Sequence, residues 1–454
     1  MKKLLLFINI CFLLLWSSQN AAAATAFRPP EEPLSKSVLL INMDDNSVVY
    51  EKNSDAPRAP ASLVKIMVSI IVIEKIPDLE NTMIHAPKEV FDDFAGVNVS
   101  NAGIKIGESI RAIDGLYALM LPSACEVANM FAYHLGDGNP QLFIDMMNAK
   151  AAELGASSTV FKNAHGLDED GQLTTARDIY KITDYALEYD VFEKAATTLR
   201  YEMPATSYNQ ARYIFHTNLM MNETQGVTSS ANYYDRRVAG IKTGFTPAAG
   251  RNLVSMASNS ENRYMLITMG APFEDEQGKR LLIAHNLKDS KDIYNWVFSK
   301  LRYKTIIKSV ETTGQIAVKH ASGKDSLLVG PEEDVITLIP SDIDVSSVQR
   351  VHDIPDVINA PVKQGQIVGT LTFKLSNEAI ATVNVVAAED IGRNLFLYAG
   401  DTILNIFTQW WFKIIAFVLL ALLVLYTAMT ISHNKNKRRR YRNRKNKDLK
   451  RIRP

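Results

Sequence analysis

The chain predicts an α/β (α+β) domain in which helices lie on a sheet, followed by a small all-β domain and one transmembrane helix. Three observations carry this. Strand-like runs near the two ends of the segment 37–301 enclose stretches of helical periodicity. Near residue 305 the texture changes to short alternating runs punctuated by Gly and Pro, which argues a separate β-rich module. Residues 410–431 are apolar apart from Lys413 and have the length needed to cross a bilayer, with Trp410, Trp411 and Tyr426 as interface residues.

Taken in order, residues 1–26 read as an export signal: Lys2 and Lys3, an apolar run from Leu4 to Trp16, then a small-residue segment suited to cleavage. The runs 37–43 and 47–51, joined by Asp44, Asp45 and Asn46, predict a hairpin. Pro60 and Ser62 are helix start signals, and the residues from Leu63 to Glu74 are apolar nearly all round, so this helix belongs in a core. Residues 112–135 predict two helices broken at Leu121-Pro-Ser123, and 140–154 another. Residues 163–168 form a loop, and Thr174 to Asp178 cap a helix carrying Ile179, Ile182 and Tyr185. The runs 240–244, 253–257 and 264–269 predict successive strands, and 276–301 a long helix. Strands over 335–339, 366–375 and 379–386 come next, then an amphipathic stretch at 391–408. The expected organisation is a leader (1–26), a main domain (27–304), a β-rich domain (305–390), an amphipathic linker (391–409), a transmembrane helix (410–432) and a basic tail (433–454).

With 454 residues, 47% of them apolar, the chain buries a sizeable core. Its net charge of +1 hides a split, because residues 435–453 are dense in Lys and Arg with Asp448 as the single acid. The positive-inside rule puts that tail in the cytoplasm and the body of the protein outside. Beside a spanning helix, such a tail reads as stop-transfer and anionic-lipid contact, and no nucleic acid partner is expected. Cys11 falls in the leader, so Cys125 is the only cysteine of the exported part and no internal disulfide forms. Without a His/Cys cluster or a phosphate loop, neither a metal nor a cofactor is expected.

Chemistry concentrates at Ser62 and Lys65, three residues apart on one face of a helical first turn. Desolvation and the helix dipole both disfavour an ammonium there, which points to an amine that takes a proton from Ser62. The plainer alternative makes Ser62 a helix cap and lets Lys65 reach to solvent, and the same spacing at Ser432 and Lys435 in the tail shows how short the pattern is.

Two further pieces decide between these. Pro60-Ala-Ser-Leu-Val-Lys-Ile-Met67, Leu121-Pro-Ser-Ala-Cys-Glu126 and Gly240-Ile-Lys-Thr-Gly-Phe-Thr246 together resemble the Ser-x-x-Lys, Ser-x-Asn and Lys-Thr-Gly triplet of penicillin-binding proteins and serine β-lactamases. The loop Asn163-Ala-His-Gly-Leu167, Thr175-Ala-Arg-Asp178 and the β-rich module with Ala360-Pro-Val-Lys-Gln-Gly-Gln-Ile-Val-Gly369 look like the D-alanyl-D-alanine carboxypeptidases among the low-molecular-mass penicillin-binding proteins. The resemblance spans roughly residues 34–393. It implies an antiparallel sheet with helices in the penicillin-binding, β-lactamase-like transpeptidase fold. It also implies peptidoglycan stem peptides as substrate and β-lactam antibiotics as ligands. Ser62 would attack the carbonyl between two terminal D-alanines with Lys65 as base, and Ser123 would hand the proton to the leaving amine. The backbone N–H groups of Ser62 and Phe245 would hold the oxyanion, Lys242 with Thr243 the substrate's carboxylate, and Gly244 would leave room for substrate backbone.

The chain departs from that pattern at two positions. Cys125 stands where the second motif usually has Asn and lacks an amide's donors and acceptor, so orientation of Lys65 and of the substrate amide is weakened or supplied by another group. Thr217, in His216-Thr-Asn218, stands where some relatives have Arg, so one carboxylate contact is missing. His165 reads as a loop-packing residue and Arg177 as a structural ion-pair partner. A β-lactamase suits the membrane anchor and β-rich module poorly. A catalytically impaired scaffold that still binds wall peptides or β-lactams stays open on the strength of Cys125.

Overall fold

The computed structural model describes residues 28–450 apart from 229 and 376; the expected leader at 1–26 lies outside the described residues, as does the end of the tail at 451–454. The chain divides into two units, one ending at Lys304 and also taking in 337–348 and 374–380, the other made of 305–336, 349–373 and 381–454.

The first unit is built on a five-stranded antiparallel sheet. Its strands are β1 (Ser37–Asn42), β2 (Val48–Lys52), β3 (Val238–Thr246), β4 (Gly250–Ser258) and β5 (Arg263–Ala271), in the order β2-β1-β5-β4-β3. Strand β1 is buried along its whole length because successive side chains feed different cores. Leu39 and Ile41 enter a helical core on one face; Val38 and Leu40 enter a second core on the other. Strand β5 does the same, with Met265 and Ile267 on one side and Tyr264 and Leu266 on the other. The sheet is therefore the filling between two helical layers, which is why these strands read as continuous apolar runs.

The larger layer is centred on α1 (Val64–Lys75), buried from Val64 to Val72. Around it pack α2 (Ala112–Met120), α3 (Cys125–Leu135), α4 (Pro140–Glu153), α5 (Ala176–Leu187) and α6 (Asp190–Thr197). Thr175 caps α5 by accepting from the Asp178 N–H at 3.0 Å, as its sequence predicts. The other face is covered by α7 (His285–Lys300), whose Ile293, Tyr294 and Val297 fill the second core.

Helix α7 is shorter than the 276–301 expected. Asp275 Oδ1 accepts from the backbone N–H groups of Gln277 and Lys279 at 3.0 and 2.8 Å, and Gly278 takes φ +75°. A local carboxylate thus satisfies the backbone in a turn and outcompetes the helix propensity of the residues after it. The helix starts only after Ala284, which is extended.

The second unit carries a six-stranded sheet in the order Gln349–Asp353, Ile367–Leu375, Glu378–Ala387, Ser326–Pro331, Gly314–Lys319, Val357–Asn359. The expected β-rich texture after residue 305 is therefore real. The amphipathic stretch forms α8 (Leu395–Thr408), and α9 (Trp410–Lys450) runs without interruption through the apolar segment into the basic tail. Within it, Trp410–Arg440 contains a stretch long and apolar enough to cross a membrane, with its large side chains exposed.

Candidate active site

Ser62 sits in a single 3₁₀ turn, Ala61–Leu63, directly before α1. Neither the turn nor α1 has a side-chain cap bond, so the plain helix-cap reading of Ser62 does not hold. Ala61 has φ +49°, a left-handed conformation that costs a non-glycine residue about 1–3 kcal/mol and persists only where surroundings enforce it. Those surroundings are visible. Asn252 on β4 donates to the carbonyls of Ala59 and Pro60, at 3.1 Å each, and accepts from the Gly270 N–H at 2.8 Å, tying the turn to the sheet.

Lys65 does not reach solvent; its side chain is fully buried. Its Nζ lies 3.0 Å from Ser62 Oγ, 2.5 Å from the His165 carbonyl oxygen and 3.5 Å from Cys125 Sγ. An ammonium has three N–H donors, and three acceptors are in reach. The orienting group that Cys125 cannot supply as an amide is thus matched by a backbone carbonyl from the loop 163–168.

That loop is held by its own side chains. Asn163 Oδ1 accepts from the Gly166 N–H at 2.7 Å, and Gln172 Oε1 accepts from the Lys162 and Asn163 N–H groups at 3.0 and 3.2 Å. The His165 ring packs edge-on to Phe94, and Nδ1 accepts from the Leu167 N–H at 3.1 Å. Burial, reinforced by the nearby Lys65 charge, pushes the His165 imidazole down to about 4 despite Asp93 at 3.6 Å. It packs the loop, while its main-chain oxygen serves Lys65. Gly166, at φ +84°, has no room for a side chain: a Cβ would stand 2.4 Å from the Ala61 carbonyl oxygen and 3.0 Å from Ser62 N.

Ser123 lies in the break between α2 and α3 with φ +66°, and its Oγ is buried with no hydrogen-bond partner among the described residues while the residue lines the cleft. Two residues on, Cys125 opens α3, its N–H donating to the Ser100 carbonyl at 2.9 Å and its Sγ 3.8 Å from the His165 oxygen.

Strand β3 forms the opposite wall. Lys242 is fully buried behind it and donates to the Thr243 carbonyl at 3.0 Å; burial first, then the Lys65 charge, hold its ammonium well below the ordinary lysine value. Gly244 was expected to make room for substrate backbone. It lines the cleft, and the side chain it lacks would face the nucleophile's turn, where a Cβ would lie 3.2 Å from Ala61 Cβ, the Pro60 oxygen and Ser62 N. Phe245 is half exposed at the rim. His216 donates through Nε2 to the Ile241 carbonyl at 3.2 Å and accepts through Nδ1 from the Asn218 N–H at 2.9 Å, and Asn218 donates to the Gly240 carbonyl at 2.6 Å. The pair stitches β3 to the preceding loop, and full burial plus the Lys242 charge hold His216 at about 4. Thr217 between them places its hydroxyl 2.5 Å from that of Thr243.

Ser62, Ser123, Cys125, Thr243, Gly244 and Phe245 line one cleft of about 340 Å³, room enough for the end of a peptide. Lys65 and Lys242 lie just behind its walls. Arg177 is elsewhere, pairing with Asp55 and Glu51 as its ion-pair reading expects. Sequence reasoning missed Asn252, Gly166, the Thr246 hydroxyl on Asp168 at 2.5 Å, and Arg251, which also lines the cleft. Only Gly166 carried a signal, a glycine directly after a loop histidine.

A helix-covered antiparallel sheet with a Ser-x-x-Lys turn facing a Lys-Thr-Gly strand defines a serine hydrolase of the penicillin-binding class. Comparison with known proteins narrows this. The family model for D-alanyl-D-alanine carboxypeptidase matches residues 22–273, and that for the C-terminal domain of penicillin-binding protein 5 matches 303–393. The chain belongs to the D-alanyl-D-alanine carboxypeptidase family. It is 26% identical to the D-alanyl-D-alanine carboxypeptidase DacF of Bacillus subtilis over 87% of this chain and 96% of the relative. In fold it is similar to the D-alanyl-D-alanine carboxypeptidase DacD of Francisella tularensis, with a TM-score of 0.62 at 21% identity over 83% of this chain and 100% of the other. Penicillin binding protein 5 of Haemophilus influenzae gives 0.54 at 21% identity, over 81% and 100%.

Gly166→Ala forces the loop away from Ala61 and strains its own backbone, and is expected to slow acylation of Ser62 by a fluorescent penicillin at least tenfold; equal labelling rates would refute the clamp. His165 and His216, held neutral when folded, take up protons only on unfolding once the pH drops below the free value of 6.5. Each then withdraws about 2 kcal/mol of stability at pH 5, and the loss grows towards the folded value. The melting temperature of the full-length protein in detergent should fall between pH 7 and 5, and His216→Asn should flatten the slope.

Proposed function

We propose that the protein removes the terminal D-alanine from peptidoglycan stem pentapeptides through a Ser62 acyl-enzyme, and that penicillins acylate the same serine. The observation carrying this is the Lys65 amine 3.0 Å from Ser62 Oγ, inside a cleft whose far wall is the Lys-Thr-Gly strand. In its amine form Lys65 takes the Ser62 proton as Oγ attacks the penultimate carbonyl. The N–H groups of Ser62 and Phe245 hold the oxyanion, and the contact of Gly244 with the Ser62 turn supports a fixed spacing between them. Ser123, whose hydroxyl has no partner among the described residues, delivers the proton to the departing D-alanine nitrogen. Thr243, backed by Lys242, faces the terminal carboxylate, and Cys125 closes the floor. Water then hydrolyses the ester and regenerates the serine.

In this reading residues 27–304 form the catalytic domain and 305–390 the β-rich domain. The linker 391–409 and the helix 410–432 anchor them to the outer face of the cell membrane, with the basic tail 433–454 in the cytoplasm. The charge asymmetry about the apolar helix supports that orientation.

Full-length protein in detergent is expected to release D-alanine from a pentapeptide ending in D-Ala-D-Ala, and Ser62→Ala to abolish release. Absence of both release and covalent labelling of Ser62 by fluorescent penicillin would sink the enzyme reading, whereas labelling without release would favour a binding scaffold. Cys125→Asn, which restores an amide beside Lys65, is expected to raise the acylation rate. An unchanged or lower rate would show that the His165 carbonyl already does the orienting.

A further inference from the structure

On the Cys125 side the cleft is lined by Asn98, Val99 and Ser100, which belong to none of the three motifs and to no helix or strand. Asn98 and Ser100 are exposed and Val99 is half-buried. The main-chain N–H groups of all three are without a partner among the described residues. An irregular rim segment of this kind keeps one position only where its neighbours hold it.

It is held from two sides. The first turn of α3 straps it from one: the Cys125 N–H donates to the Ser100 carbonyl at 2.9 Å, and Glu126 Oε1 accepts from the Ala102 N–H at 2.7 Å and the Ile104 N–H at 3.5 Å. From the other comes the hairpin of strands Arg200–Met203 and Arg212–Phe215, which places Arg212 Nε 3.0 Å from the Ala102 carbonyl and Asn209 Nδ2 2.9 Å from that of Gly103. Ala102 is thus gripped through both its N–H and its C=O. The hairpin is anchored in turn, since the fully buried Glu108 accepts from Thr206 Oγ1 at 2.7 Å and Asn209 Nδ2 at 2.8 Å. Burial raises the Glu126 carboxyl above its ordinary value, against the Ala102 bond and the Lys65 charge, so a carboxamide oxygen is a fair substitute for what it does here.

Beyond the scissile bond the substrate has a single D-alanine, whereas on the acyl side it carries the rest of the stem. Free main-chain donors beside the nucleophile suit that longer portion, because peptide carbonyls pair with such an edge whatever the side chains. We infer that residues 98–100 are the docking edge for the stem peptide's main chain on the acyl side, and that Glu126 and Arg212 are positioning residues that fix this edge. This rests on the carboxypeptidase reading and deepens it, by naming what separates a long peptide from a bare D-Ala-D-Ala end.

The test compares kcat/KM for a pentapeptide ending in D-Ala-D-Ala with that for N-acetyl-D-Ala-D-Ala, using full-length protein in detergent. Wild type is expected to favour the pentapeptide by about thirtyfold, the yield of two main-chain hydrogen bonds. In Glu126→Ala the ratio should fall to about threefold, chiefly through a higher KM for the pentapeptide. Glu126→Gln, which keeps the acceptor for Ala102, should retain at least about half of the wild-type ratio. A residue that only supports the fold would slow both substrates alike, so an unchanged ratio in Glu126→Ala overturns the inference, as does a Gln variant no better than Ala. Should Glu126→Ala fail to fold, seen as loss of the cooperative melt and of Ser62 labelling, the double variant Asn98→Ala, Val99→Pro decides. It removes two groups of the edge and leaves the Glu126 and Arg212 contacts in place, and an unchanged ratio there overturns the inference equally. A wild-type ratio near one overturns it while leaving the carboxypeptidase reading intact; if wild type cleaves neither substrate, that reading falls and this inference with it.

Discussion

A lysine nitrogen without access to water, held between Ser62 Oγ, the His165 carbonyl and Cys125 Sγ, is the constraint on which the site depends. Each contact comes from a different stretch: the turn before α1, the loop after α4, and the first residue of α3. Burying an ammonium is costly unless every N–H is matched, so these three segments must arrive together or not at all. The apolar surroundings of α1 make the nitrogen's position specific, because a shift of the helix would leave donors unmatched inside a packed core.

The sheet converts that local demand into a fixed geometry. Strand β4 reaches the nucleophile's turn through Asn252, while β3 presses on it through Gly244, so both edges of the cleft are referenced to one rigid frame. The frame is rigid because it is buried on two faces, with β1 and β5 distributing side chains alternately to the two cores. Strain at Ala61 and Ser123, both in left-handed conformations, is sustained by that packing and aims two hydroxyl groups at one volume.

Much of this was legible in the sequence. The hairpin, the apolar α1, the break at Leu121-Pro-Ser123, the three late strands and the β-rich texture all obey local rules of periodicity and turn chemistry, and the structure has each of them. What was not legible came from groups without a side-chain signature or from pairs distant along the chain. The oxygen that orients Lys65 belongs to a backbone, and no residue type announces a carbonyl. The stretch 276–284 has helical composition, yet Asp275 folds it into a turn through its own side chain, a competition that periodicity does not register.

The two glycines that close on Ala61 and Ser62 carry a further consequence. Gly166 comes from the loop before α5 and Gly244 from a strand near the end of the first unit, so the nucleophile's backbone is gripped only after the polypeptide has closed over long sequence separations. A chain in which either contact is missing still possesses Ser62 and Lys65 but not their alignment. Reactivity is thus a late event of folding, and a covalent probe of Ser62 counts completed molecules rather than synthesised ones. The acylated fraction is thereby a measure of maturation.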